Sequence, residues 1–316
     1  MGKYRFTSEM RTVDGVVLRR IEAMVDFGDW RAGDLGGWIE KEENLSQEGC
    51  AWVSDNACVF GAAHVSGNAQ VYGDARVYGE ARIGQTAQVY GNARVYDNAE
   101  VHGTAKVYGD AEVYDDARVY RHAHIYGIAR VYGDAWVTSD AQVFDDARVF
   151  GDAWVFGDAQ IRHNAQIYGN AQVYGNANVY LDARVYGDAE VYDNAEVDGA
   201  AKVYFKARVY GDARIFGDAV VSGDAQVFGN ARVDGDARIA APILCASRSD
   251  GDLFTVFPVA DGSLRLTVGD KYGRHTLPEA REHWIRTCGG TKLGDESLAI
   301  IDHLEKMAAL QGWGGK

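Results

Sequence analysis

Eight histidines are the residues through which this chain would do acid–base or metal chemistry, because imidazole changes its charge near neutral pH without help from its surroundings. His102, His122 and His124 form the one close group. Such a group serves either as a general base with its helper or as the ligands of a zinc ion. The plainer account makes all three surface histidines in outward or corner positions. His64 and His163 stand alone, and His275, His283 and His303 share no spacing motif. The four cysteines, Cys50, Cys58, Cys245 and Cys288, show no close pair and no zinc-type spacing, which points to free thiols in a reducing cytoplasm. Gly33–Trp38 has neither the lysine of a phosphate loop nor the glycine spacing of a dinucleotide fold. No metal and no cofactor is expected from these residues.

The elements that must position those groups come from a repeat. Alanine falls at every sixth position from Ala51 to Ala237, 32 times with no insertion, and Val or Ile follows two residues later in all 32 units. Ala-x-Val-Tyr alternates as a strand does, with Ala and Val on one face and x and Tyr on the other. Gly-Asp or Gly-Asn then supplies a turn, because these residues tolerate left-handed backbone angles. A six-residue period drifts around a 3.6-residue helix, which excludes an amphipathic helix. Strands this short bury nothing alone, but stacked coils pile their Ala and Val side chains into a continuous narrow core. The pattern predicts an all-β solenoid.

The unit Val71-Tyr-Gly-Asp-Ala75, an aliphatic residue with a small one four later, resembles the hexapeptide repeat of left-handed β-helices. Val25–Trp38 followed by Leu45–Gly49 is similar to the lead-in of YdcK-type proteins, bacterial and prophage chains usually labelled acetyltransferases. The likeness covers residues from about 16 to 240. It implies a left-handed triangular parallel β-helix with three units per coil, hence about 10–11 coils. The outward x residues do not themselves fix the triangle: they match in 6 of 29 pairs three units apart and in 6 of 31 pairs one unit apart. On the triangular register His102 lies over Tyr120, near His122 and His124, and Arg76, Arg94, Arg130, Arg148 and Arg184 share a face. The resemblance also implies a histidine general base and acetyl-CoA as acyl donor, and trimers are common in such families. The loop that usually protrudes from a coil in those enzymes has no counterpart in these 32 units.

Three segments are expected: an N-terminal cap (1–50), the repeat solenoid (51–240) and a small C-terminal α+β module (241–316). In the cap, Tyr4–Thr7 and Gly15–Met24 read as paired strands, with Trp30 and Trp38 available to cover the first coil. After Pro242, Leu253–Val259 and Ser263–Val268 flank Ala260-Asp-Gly262 as a hairpin. Thr276-Leu-Pro-Glu279 is a capping box that opens a helix through about Trp284. Asp295 is the expected cap of a second helix, with Leu298, Ile301, Leu304 and Ala308 on one face and Gly312 as its stop.

The outward slot after Val/Ile is aromatic in 22 of 32 units. Tyr78, Tyr96, Tyr114, Tyr132 and Phe150 recur every eighteen residues and are the expected aromatic corner ladder, a structural stack that also offers a binding surface. The net charge is −14, and residues 51–240 hold 26 acidic against 16 basic residues. That balance repels phosphates and disfavours direct nucleic-acid binding, while it suits a basic partner. No apolar run is long enough to span a bilayer, and the first residues lack a secretory apolar stretch. The expectation is a cytoplasmic, non-catalytic scaffold that binds a protein partner in a phage or prophage setting. The alternatives are an acetyl-CoA-dependent acetyltransferase using His102, His122 or His124, and an acidic DNA mimic.

Overall fold

The computed structural model describes residues 2–269 and 272–313. The chain divides into two compact units, Met1–Asn164 and Ala165–Lys316. Both are built from parallel strands paired at a constant register, as in Gln70↔Gln88, Arg94↔Glu112 and Trp136↔Trp154 in the first unit and Glu190↔Arg208 in the second. Each strand therefore meets the one eighteen residues later, three six-residue units fill one coil, and each unit of the chain carries three parallel sheets. The 32 repeats amount to about 11 turns.

The register follows from where the backbone hydrogen bonds go. Within each repeat three N–H groups donate to the next coil, for example Gln70 N–H to Ala87 O (2.9 Å), Tyr72 N–H to Val89 O (3.0 Å) and Asp74 N–H to Gly91 O (2.8 Å). The chain must turn after each short strand, and it does so with a left-handed residue. Gly73 (φ 70°), Gly91 (φ 70°) and Asp97 (φ 55°) all hold that position. The Ala and Val/Ile side chains point inward, and from Ala69 to Val227 every one of them is fully buried.

The first unit begins with β1 (Tyr4–Val13) and β2 (Val16–Ala23), an antiparallel hairpin closed by Asp14 and Gly15, both left-handed as a two-residue turn of this type requires. β3 (Leu35–Ile39) runs antiparallel to β2 but parallel to Cys58–Val59, so it converts the hairpin into the first solenoid rung. Gly36 makes this possible: a Cβ there would sit 2.6 Å from both Ile21 Cγ1 and Trp52 Cζ2. Leu18, Ile21, Ile39 and Leu45 are fully buried at this end. The expected cover, Trp30 and Trp38, is only half right. Trp52 is the large buried ring, with Tyr4, Phe27 and Trp30 packed around it at 6.3, 5.2 and 5.7 Å. Trp38 alternates to the outer face of its strand and lies beneath the Arg11 guanidinium at 4.6 Å.

The second unit ends in a four-stranded antiparallel sheet (Leu244–Ser247, Leu253–Pro258, Leu264–Val268, Tyr272–His275) and two helices, α1 (Leu277–Cys288) and α2 (Lys292–Leu310). Phe254, Val256, Leu266, Trp284, Ile301 and Leu304 form its core. The hairpin and the Thr276–Glu279 capping box are as expected, although α1 runs on to Cys288. Asp295 is not the cap of α2. Thr291 takes that place, its hydroxyl accepting from Gly294 N–H at 3.1 Å, and Asp295 falls in the first turn. The module packs on the last coil through Thr267 Oγ1 donating to Arg232 O (3.1 Å), a bridge between Ala237 and Val259, and the Arg274–Asp236 ion pair (2.6 Å).

Inward slots this tight leave no room for growth. We expect Ala111→Leu, which inserts three carbons between fully buried Ala and Val side chains, to destabilise the solenoid by about 1–3 kcal/mol, read as a lower urea midpoint. Glu112→Gln, on the outward slot beside it, loses only surface ion pairs to Arg94 and Arg130 and is expected to lower the midpoint by less.

Candidate functional site

With the register known, the corners of the first unit can be compared coil by coil. The corner that follows the Arg76, Arg94, Glu112, Arg130 and Arg148 face is nearly uniform. Phe60, Tyr78, Tyr96, Tyr114, Tyr132 and Phe150 stack along it with parallel planes, and the rings from Tyr78 to Phe150 lie 4.8–4.9 Å apart. That spacing is the strand separation itself. Burial raises the Tyr78, Tyr96, Tyr114 and Tyr132 hydroxyls above the ordinary phenol range. Beside the rings runs an open groove of about 600 Å³ lined by Glu80, Asp97, Asn98, Asp115, Asp116 and Asp134 with two glycines. Asn98 Nδ2 donates to Asp116 Oδ1 at 3.0 Å, one coil on. A second regular ladder, Tyr72, Tyr90, Tyr108, Tyr126 and Phe144, occupies another corner.

The third corner departs from the repeat over four successive coils. Where most units place an aromatic ring, Gly or Asp, then Asn or Asp, this corner reads Gly84-Gln85-Thr86, His102-Gly103-Thr104, Tyr120-Arg121-His122 and Thr138-Ser139-Asp140; departures elsewhere include Ile128, His163, Leu181 and Phe205. Gln85 (φ 56°), Arg121 (φ 60°) and Ser139 (φ 62°) hold the left-handed turn position without being Gly, Asp or Asn, at a cost of about 1–2 kcal/mol each. The Thr86 and Thr104 hydroxyls donate to the carbonyls of Gly103 (2.9 Å) and Arg121 (3.1 Å) in place of the Asn–Asp ladder.

These departures open a notch of about 420 Å³ lined by Gln85, Glu100, His102, Gly103, Tyr120 and Arg121. His102 leans over Gly84, where a Cβ would come within 2.5 Å of its Nδ1, and its ring faces Tyr120 at 5.6 Å. Burial pushes the His102 imidazole below its usual pKa, and the Glu100 charge offsets this only partly. The Tyr120 hydroxyl donates to Glu100 Oε2. Burial first, and that bond second, push Tyr120 up to about 12. Glu100 Oε1 lies 3.9 Å from the Arg82 guanidinium. One and two coils further along, Tyr120 meets Trp136 edge-on at 5.8 Å and Trp136 stacks on Trp154 at 5.2 Å, while Arg118 covers Trp136 at 4.9 Å. Trp154 is 44% exposed.

The three histidines singled out by sequence thus occupy different places. His102 lies in the notch over Tyr120, as the register requires. His122 sits at the turn, hydrogen-bonded to the Thr104 hydroxyl. His124 is on the next face, paired in register with Lys106 and Gln142, its ring edge-on to Tyr108 at 6.2 Å. Burial pushes His124 down, helped by Lys106. Among the described residues no group of three or more His, Cys, Asp or Glu is placed to hold a metal ion. Nor is any helix among them long and apolar enough to cross a membrane. Sequence reading missed Gln85, Glu100 and Arg121, because their meeting becomes visible only when positions eighteen apart are superposed.

The sequence model of the YdcK β-solenoid repeat matches residues 69–85, 87–103, 141–157, 171–187 and 207–223. Over those residues the solenoid carries repeats of the YdcK type. A curated relative from Escherichia coli (strain K12), named uncharacterized acetyltransferase YdcK, is 45% identical over 75 residues, which is 21% of this chain and 23% of the relative. The match therefore spans about a quarter of that relative's length. Two of the matched YdcK-type repeats, 69–85 and 87–103, include Gln85, Glu100 and His102.

The strained turn gives a prediction. Arg121→Gly is expected to raise stability by about 0.5–1 kcal/mol, the left-handed penalty removed less the added entropy of glycine, measured by urea unfolding. Asp115→Gly, at a turn already suited to its backbone, is expected to bring no such gain.

Proposed function

We propose that this chain is a non-catalytic, rigid β-solenoid scaffold that binds a host or phage macromolecule, specifically a protein with a basic face. The observation that carries the reading is the regular corner, where the Tyr78–Phe150 ladder runs beside the groove of Glu80, Asp97, Asp115, Asp116 and Asp134. Aromatic rings flanked by carboxylates at fixed spacing complement Arg and Lys side chains through cation–π contacts and ion pairs. The core supports a scaffold, since its inward slots carry only Ala, Val and Ile and no polar group faces inward from them. A DNA-binding protein is one partner of this chemistry, and against it the solenoid would act as an acidic DNA mimic. The four free thiols support a reducing, cytoplasmic setting. The test is capture by the intact chain. A specific partner is expected to be retained by the native protein and lost with Asp115→Lys/Asp116→Lys/Asp134→Lys. It is also expected to be released near 1 M salt, where charge attraction is screened beyond about 3 Å. Binding that survives both treatments sinks the reading.

The second reading is an acyl-CoA-dependent acetyltransferase, favoured by the name of the E. coli relative and by the half-buried His102 beside an open notch. It requires calorimetric binding of acetyl-CoA and loss of turnover in His102→Ala. Heat signals no larger than those of buffer would remove it.

A further inference from the structure

In a chain this repetitive, a residue that follows the repeat is explained by folding alone. Departures from the repeat recur elsewhere, as at His163, Leu181 and Phe205, but on this corner they fall in four successive coils and line a notch. The notch at that corner has the size of a small-ligand site, and its lining has a distinct chemistry. Arg121 has no carboxylate partner among the described residues, although the chain is acidic overall. Arg82 and Arg118 flank Glu100 in register on the adjoining face, where Arg82 comes within 3.9 Å of its carboxylate and Arg118 lies over Trp136. Glu100 Oε2 is taken by Tyr120, whereas Oε1 is held only loosely, 3.9 Å from Arg82, and keeps lone pairs for an incoming hydroxyl. Gln85 adds one more donor and acceptor. His102 and Tyr120 form a half-buried ring wall, and Trp136 and Trp154 continue it along the same face.

Each class of ligand makes a different demand. A phosphoryl group brings nearly two negative charges against Glu100, where a carboxylate brings one. A metal ion finds no ligand set. A purely apolar ligand would leave Glu100, Gln85 and Arg121 unsolvated. A ligand with one carboxylate for the Arg121 fork, several hydroxyls for Glu100 and Gln85, and a C–H face for the rings satisfies every group present.

We propose that this corner binds a carboxylated sugar, a uronic acid or its oligomer, with Arg121 taking the carboxylate and Glu100 and Gln85 the ring hydroxyls. The site lies off the Tyr78–Phe150 corner and stands independently of any protein partner.

The experiment uses the intact chain with galacturonate as probe and galactose as the neutral control, followed by calorimetry and by tryptophan fluorescence. Galacturonate is expected to bind and to perturb the fluorescence. Arg121→Ala and Glu100→Gln are each expected to weaken it by about tenfold or more, as loss of a charged hydrogen bond does. Asp110→Asn, on the Tyr72–Phe144 corner, is expected to leave binding unchanged. Unchanged far-ultraviolet dichroism of the variants separates loss of the site from loss of fold. Absence of galacturonate binding overturns the proposal. So does equal affinity for galactose, or binding that neither Arg121→Ala nor Glu100→Gln alters.

Discussion

Everything in this molecule hangs on the backbone hydrogen bonds between one coil and the next. Each repeat hands three N–H groups to carbonyls seventeen residues ahead, as Gln70, Tyr72 and Asp74 do to Ala87, Val89 and Gly91. The coil must therefore hold eighteen residues, and the chain must bend after every few residues. The bend is affordable only in the left-handed region, hence the succession of Gly and Asp at that slot. A cross-section so narrow admits only small and β-branched side chains, which is why Ala and Val alternate inside. The composition of the repeat is the consequence of this one closure condition.

The same condition separates the interior from the surface. Inward slots tolerate almost no change, but a residue at x, at the ring slot or at the turn touches chiefly its equivalents one coil away. The aromatic ladder at Tyr78–Phe150 and the Asn98–Asp116 hydrogen bond are such contacts between like positions. So is the irregular corner, where Gly84 makes room for His102 and His102 in turn faces Tyr120. A corner is thus a column in which each residue sets the space for the next. Change enters this fold by rewriting a column and leaving the core untouched.

The solenoid was legible in the sequence because strand, turn and core recur in phase 32 times. The hairpin at Leu253–Val268 and the Thr276 capping box were legible because their signals are local. What stayed hidden depended on distance. Trp52 looks like another outward x residue, yet the cap folds over it and buries it. Asp295 was the expected cap, but α2 starts a turn earlier, where the Thr291 hydroxyl accepts from Gly294 N–H. His102 was found as a histidine, whereas its companions Gln85, Glu100 and Arg121 are ordinary residue types whose meaning comes only from adjacency across coils.

The constant rise between coils has a further implication. Side chains on one column are held like the divisions of a scale, about 4.8 Å apart, with their sideways freedom removed by the neighbours above and below. A linear partner whose own subunits recur at a similar interval engages many divisions at once, and one of different pitch falls out of step after a few. For any such partner the column would set a period to be matched before chemistry is read, which a globular pocket of the same residues does not do.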